Sequence, residues 1–223
     1  MLEEKELVSK YCSVSLAYGK EINTRNALIS YPQIEYKSDS SRFRYNAVSF
    51  LCKRKDITAA AVVPIPYSGV FLASCWTELR SEKFWPAFGY NEYDTSIFYT
   101  TDDYSSRRSH CETKVGVLTD LKKIYKDVIL IDEAILSGVT METAIQSLRK
   151  NGVERIHAVT ILPPFINKCP YSVISYTPTL DLNTDIAKVI GADSFSCLSL
   201  SELASLYLSQ PICFECQKTT ICN

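Results

Sequence analysis

A chain of 223 residues is long enough to bury one full core with a small appendage. Its 24 basic and 25 acidic side chains leave a formal charge of −1, which gives no electrostatic case for a nucleic-acid partner or an anionic membrane. No apolar run approaches the ~18 residues of a membrane span, and Glu3, Glu4, Lys5 and Glu6 stand where a signal peptide needs an apolar core, so a cytoplasmic protein is expected.

Residues 1–45 are polar and rich in tyrosine, with weak helical periodicity over 7–18, and they carry Cys12. They are expected to form an extension or cap on a main domain spanning 46–210. A helix is predicted over 45–54, with Ala47, Phe50 and Leu51 on one face. Residues 57–66 then read as a buried strand ended by Pro64 and Pro66. Tyr67, Ser68 and Gly69 turn the chain into a helix over 70–80. Backbone amides at such a turn can meet an anion, although an ordinary strand-to-helix turn explains them equally well.

Residues 84–90 are consistent with a short strand. Residues 91–110 are polar, lack periodicity and read as one long loop, a length that in compact domains suggests a lid or a solvated segment. Arg107, Arg108, His110 and Lys114 give its end some positive charge, and Lys122, Lys123 and Lys126 are expected to face solvent.

The most informative stretch is 128–140. Val128, Ile129, Leu130 and Ile131 form a β-branched apolar run of the kind buried on both faces of a sheet. Two adjacent acids, Asp132 and Glu133, follow at its carboxyl end. A short loop, Ser137, Gly138, Val139 and Thr140, then opens a helix to about Lys150, with Met141, Ala144, Ile145 and Leu148 at helical spacing and Gly152 past its end. Amides at a helix N-terminus beside two hydroxyls suit a phosphate, and a carboxylate pair suits sugar hydroxyls. A phosphate and a ribose are the first expectation.

Residues 156–162 form another buried strand, closed by Pro163 and Pro164. His157, one of only two histidines, is expected to be a satisfied strand residue and not a catalytic one. Helices are predicted over 185–190, ended by Gly191, and over 198–208. Strands alternating with helices imply parallel pairing and an open α/β sheet, mostly parallel and Rossmann-like, whose ligands bind at the carboxyl ends of the strands. The tail, 211–223, carries Cys213, Cys216 and Cys222. Nine cysteines with no signal sequence argue for thiols or a metal over a disulfide framework. Cys75 and Cys197 fall in apolar surroundings and read as plain core residues.

Asp132 and Glu133 followed by Ser137, Gly138, Val139 and Thr140 resemble the phosphoribosyl pyrophosphate (PRPP) signature of type I phosphoribosyltransferases. The longer run resembles most the phosphoribosyltransferase half of the amidophosphoribosyltransferase (glutamine PRPP amidotransferase) family. The stretch 63–69 is similar to that family's pyrophosphate loop, 150–164 to its next helix end and strand, and 190–203 to its C-terminal helices. Cys213 and Cys216 match the cysteine pair of its iron–sulfur members.

The resemblance implies that Asp132 and Glu133 bind the ribose hydroxyls and that Ser137, Gly138, Val139 and Thr140 hold the 5′-phosphate. Tyr67, Ser68 and Gly69 would meet the pyrophosphate, with Mg²⁺ bridging its oxygens and the ribose, and Lys114, with Arg107 or Arg108 as further candidates, would remain from the basic end of the flexible loop. The implied activity is transfer of the phosphoribosyl group to ammonia, an amine or a base with loss of pyrophosphate. A nucleotide monophosphate is a further implied ligand, a separate ammonia-supplying or effector subunit an implied partner, and a homo-oligomer the expected state. Cys169, Cys213 and Cys216, with Cys12 as the fourth thiolate and Cys222 in reserve, would hold a four-iron, four-sulfur cluster, or else zinc.

The departures bear on catalysis. The chain opens Met1, Leu2, Glu3, so the family's glutaminase half and its terminal cysteine are not expected here. Tyr67 replaces a usual aspartate, and Glu92, Asp94, Thr95 and Ser96 stand where the flexible loop is usually basic. Fewer charges for the leaving group make a degenerate PRPP or nucleotide sensor, or an interaction subunit, carrying a structural iron–sulfur or zinc site the alternative to an active transferase.

Overall fold

In the computed structural model, the residues described are 33–66, 68–89, 108–109, 111–112, 115–117, 124–167 and 185–206. In chain order they form α1 (Gln33–Cys52), β1 (Ala61–Pro64), α2 (Ser68–Leu79), β2 (Lys83–Phe84), β3 (Asp127–Asp132), α3 (Val139–Lys150), β4 (Arg155–Thr160), α4 (Ile186–Ile190), β5 (Ser194–Ser196) and α5 (Leu200–Ser205).

The strands pair in the order β2-β1-β3-β4-β5, and every pairing among them is parallel. β3 sits in the middle, with Val62 opposite Ile129 on one side and Ile129 opposite His157 on the other. Alternate side chains of a strand point to opposite faces, and both faces here are covered. Val62, Ile129, Ile131 and Val159 pack on one face against Phe43, Ala47 and Leu51 of α1 and Leu72 and Trp76 of α2. Ala61, Val63, Val128, Leu130 and Ala158 pack on the other against Met141, Ala144, Ile145 and Leu148 of α3 and Ile190 of α4. Each such buried aliphatic side chain contributes about 1.5–3 kcal/mol of transfer free energy, which explains why the central strands read as unbroken apolar runs.

Several boundaries differ from the sequence expectation. The helix predicted over 45–54 begins at Gln33, so the line drawn at residue 45 falls inside a helix. Ser38, Asp39, Ser40 and Ser41 are weak helix formers that hide its start, while Phe43, 1% exposed, is part of the core and holds the segment to the sheet. β1 is shorter than the 57–66 stretch. The strand expected over 84–90 is reduced to Lys83–Phe84 and one antiparallel bridge between Phe88 and Val117. Arg108, Ser109, Cys111 and Glu112 are helical where loop was expected to reach residue 110. β5, Ser-Phe-Ser, was too short and polar to read as a strand. The predicted end of α4 at Gly191 agrees, with Asp185 capping its start by accepting from the Lys188 amide, whereas the helix expected over 198–208 is shorter and is capped by Ser199 in a capping box with Glu202. No helix among the described residues is long and apolar enough to cross a membrane.

Candidate functional site

After β1 the chain runs to β2 on one side of it and then returns to β3 on the other. The loops leaving β1 and β3 therefore diverge and open a crevice at the carboxyl ends of these two strands, the usual ligand position in open α/β sheets. α2 starts from one lip and α3 from the other.

Gly69 sets how closely the lips approach. Its amide donates to the Ile65 carbonyl (2.9 Å), and a Cβ at this position would lie 2.3 Å from the Ile131 carbonyl oxygen. Only glycine lets the first turn of α2 sit against the end of β3. That approach brings Ser68 to Asp132: Ser68 Oγ donates to Asp132 Oδ1 at 2.6 Å, and the Glu133 amide donates to the same oxygen at 2.9 Å. Both bonds fall on Oδ1, so Oδ2 keeps its acceptor capacity.

The two acids are not equivalent. Asp132 is 8% exposed, whereas Glu133 is fully buried. Neither carboxylate oxygen of Glu133 has a hydrogen-bond partner among the described residues. Arg44 of α1 is its facing cation, with Nη1 3.8 Å from Oε1. Burial, reinforced by the adjacent Asp132 carboxylate, pushes the Glu133 carboxyl well above the ordinary range. Burial likewise lowers the Arg44 pKa, and Glu133 opposes that shift.

On the other lip, Gly138 takes φ +80° at the start of α3, a conformation that L side chains rarely adopt, and no side-chain cap closes the helix. The turn presents the N-terminus of a 12-residue helix with Val139 buried and Ser137 and Thr140 half-buried beside it, an arrangement suited to an anion. Thr140 Oγ1 lies 3.4 Å from Cys111 Sγ. Thr143 Oγ1 instead donates back to the Val139 carbonyl (2.7 Å).

Ser68, Gly69, Asp132 and Glu133 thus surround one lip-to-lip junction, with Ser137, Gly138, Val139 and Thr140 following at the start of α3. Arg108 docks on α3: its guanidinium bonds Gln146 Oε1 (2.5 Å) and Glu142 Oε1 (3.4 Å), and it pairs with Glu112. Tyr67, Lys114, Arg107, Cys12, Cys169, Cys213, Cys216 and Cys222 lie outside the described residues. Among the described residues no group of three or more His, Cys, Asp or Glu side chains is placed to hold a metal. His157 is engaged by Ser196 Oγ (3.2 Å) and Ser194 Oγ, and burial lowers its pKa, as suits a neutral structural histidine. Cys75 is buried and Cys197 half-buried, and burial raises both thiols, Cys197 to about 11, which makes them unreactive.

Arg44 was missed from sequence, yet it left a signal. It shares the helical stripe of Ala47, Val48 and Leu51, and a charge on a buried stripe needs a partner.

No family model matches the chain. It is 27% identical over 176 residues to the amidophosphoribosyltransferase of Methanocaldococcus jannaschii, a match covering 74% of this chain and 36% of that enzyme. It is 26% identical over 197 residues to the enzyme of the same name from Methanothermobacter thermautotrophicus, covering 81% of this chain and 40% of the relative. The chain therefore spans well under half the length of these relatives. Among solved structures, the glutamine PRPP amidotransferase of B. subtilis, complexed with ADP and GMP, superposes with a TM-score of 0.66 at 20% identity, over 92% of this chain and 44% of that one. A structure of the allosteric regulatory enzyme of purine biosynthesis superposes with a TM-score of 0.63 at 21% identity, over 87% of this chain and 41% of that one. The five parallel strands and flanking helices match the type I phosphoribosyltransferase fold. Over most of its length the chain is distantly homologous to amidophosphoribosyltransferase in the phosphoribosyltransferase region, and it shares the fold of that region in the solved PRPP amidotransferase.

Proposed function

We propose that the crevice between β1 and β3 binds PRPP with Mg²⁺ and transfers the phosphoribosyl group to ammonia, an amine or a base. The observation that carries this reading is the hydrogen bond from Ser68 to Asp132, which joins the pyrophosphate-type loop and the ribose-type acids at one point although they are 64 residues apart. Asp132 would accept from the ribose hydroxyls, the first turn of α3 would receive the 5′-phosphate, and the amides around Ser68 and Gly69 would face the pyrophosphate. In the reaction the bond from the anomeric carbon to pyrophosphate breaks with its electron pair leaving on oxygen. The nitrogen lone pair forms the new bond, and the proton on nitrogen is lost to solvent or to the departing phosphate. The chain's contribution is positioning and charge neutralisation. Mg²⁺ bound with PRPP would neutralise the leaving group, and the hard oxygens of Asp132 and Ser68 suit that ion.

Pyrophosphate release from PRPP and Mg²⁺, measured with ammonium, small amines and free bases, tests the transferase reading. Release with one of these supports it. A folded protein that binds PRPP and releases nothing with any of them rules it out in favour of a second reading, a PRPP or nucleotide sensor. Tyr67 in place of an aspartate, and Glu92, Asp94, Thr95 and Ser96 where basic residues are usual, favour that alternative. Ammonia, if it is the nucleophile, would come from a separate subunit. Cys12, Cys169, Cys213 and Cys216 are the residues we assign to a four-iron, four-sulfur cluster, with zinc as the other occupant suited to thiolates.

A further inference from the structure

Helix α1 brings a positive charge to the back of the crevice. Arg44 lies on the face of α1 that meets the sheet, on the same stripe as the fully buried Ala47, Val48 and Leu51. Its guanidinium sits 4.2 Å above the Phe71 ring of α2, and its Nη1 is 3.8 Å from Glu133 Oε1. The Arg44 side chain keeps 16% of its exposure and that of Glu133 1%. Arg44 Nε and both Glu133 oxygens are buried and have no hydrogen-bond partner among the described residues. A buried acid in this state is costly unless a cation offsets it. Arg44 is the cation facing it from α1, Asp132 is the like charge beside it, and Ser68 is the neighbouring hydroxyl of α2.

The pair is placed to act on the crevice indirectly. The Glu133 amide orients Asp132 by donating to its Oδ1 (2.9 Å), and the Glu133 carbonyl accepts from the Leu162 amide (2.9 Å). A shift of the Glu133 side chain would tilt the same peptide that aims Asp132 at the mouth of the crevice.

We propose that Arg44 is a positioning residue of the sugar subsite: acting through Glu133, it fixes the peptide that aims Asp132, and so links the seating of α1 to the binding of a phosphoribosyl ligand. This rests on the crevice being a phosphoribosyl site, as proposed above. Arg44 touches no substrate in this scheme. Its influence passes through the charge at Glu133 once that carboxyl is ionised, above its raised pKa, and a lysine in place of Arg44 can supply part of the offsetting positive charge.

The experiment is a double-mutant cycle on the whole chain, using Arg44→Met, Glu133→Gln and the double variant. Each is titrated with PRPP and Mg²⁺ by calorimetry, with urea unfolding to verify the fold. Methionine keeps an apolar stem over Phe71 and removes the charge. The expected result is that Arg44→Met weakens PRPP binding about tenfold in the native background and less than about twofold on Glu133→Gln, the non-additivity of a coupled pair. Arg44→Lys should recover binding to within about threefold. Equal losses in both backgrounds, or no recovery with lysine, overturn the proposal and leave Arg44 a packing residue. If Arg44→Met does not fold, the lysine variant decides: near-native affinity supports the proposal, and a loss as large as that of Glu133→Gln overturns it. A folded native chain that does not bind PRPP defeats the proposed function, and the role of Arg44 with it. Native binding with additive losses defeats this inference alone.

Discussion

Ser68 Oγ donates to Asp132 Oδ1 at 2.6 Å, tying the first turn of α2 to the last residue of β3. Hydrogen bonds to a charged partner contribute about 1.5–3 kcal/mol. Ser68→Ala should therefore lower stability by roughly 1–2 kcal/mol, because the largely buried Asp132 loses one of its two side-chain hydrogen bonds among the described residues. It should also weaken PRPP binding about tenfold, since it unfastens the two halves of the crevice. Urea unfolding and calorimetry with PRPP and Mg²⁺ measure the two effects. A variant with native affinity would mean that the bond is only structural.

Gly69 makes that bond possible, and its replacement should be worse. A Cβ would meet the Ile131 carbonyl oxygen at 2.3 Å, and both groups belong to backbone that cannot swing aside. Gly69→Ala should push α2 off the end of β3 and cost about 2–3 kcal/mol, the scale of overpacking in a tight core. It should also abolish PRPP binding, because Ser68 is carried away with the helix. Urea unfolding compared with Ser68→Ala checks the order of the two.

Much of this crevice was legible in the sequence, for a physical reason. Both-face burial makes β1 and β3 continuous apolar runs, and the residues that follow them (Ser68 and Gly69, Asp132 and Glu133) sit at strand ends where polarity stands out. Gly138 was also visible, as a lone glycine between hydroxyls ahead of a helical pattern. What could not be read is the asymmetry of the two acids. Asp132 and Glu133 are adjacent and chemically alike, and only the tertiary packing of α1 and the 161–165 segment sends one to the mouth and the other inside. Arg44 went unread because its helix starts in a run of serines and because its partner is distant in sequence. The fate of Arg108 was hidden in the same way: nothing local says that Glu142 and Gln146 will take its guanidinium.

Arg80 provides a structural control for the ligand experiments. Its guanidinium donates to the carbonyls of Cys52 (3.0 Å), Arg54 (3.3 Å) and Ile57 (3.0 Å), and to Glu82 Oε1 (2.7 Å). It thus holds the α1–β1 connection closed and partners a buried acid. Arg80→Met would strand Glu82 and three carbonyls, and should cost about 3–4 kcal/mol, the scale for breaking one side of a buried ion pair. PRPP affinity of the folded fraction should stay within about twofold, because none of these groups faces the crevice. Urea unfolding and calorimetry on the same sample check both statements.

If the assigned thiolates hold a cluster, protein purified without oxygen should be brown, with iron and acid-labile sulfide in equal amounts. Cys213→Ser should bleach it. Colourless protein carrying one zinc per chain would instead assign the site to structural zinc, and neither metal in a folded sample would remove the assignment.

The buried Glu133 should make stability depend on pH in a direction opposite to that of an ordinary paired acid. Its folded pKa is raised, chiefly by burial and then by Asp132, so the folded state holds a proton that the unfolded chain releases near pH ~4.3. The stabilisation is complete below that value. It declines as pH rises, because the unfolded chain gains by ionising while the folded one resists, and the decline ends once pH passes the raised folded pKa. Arg44 limits the loss but does not reverse it, since burial is the largest cause. His157 acts the other way: its depressed pKa means that stability rises with pH up to the unfolded value near ~6.5. The two are separated by difference. Urea unfolding of the native chain and of Glu133→Gln from pH 4 to pH 9 should give curves that diverge, the native one falling relative to the variant as pH rises, while the contribution of His157 cancels. Parallel curves would mean that Glu133 titrates in the folded protein as it does in the unfolded chain, with Arg44 and its other neighbours fully compensating its burial.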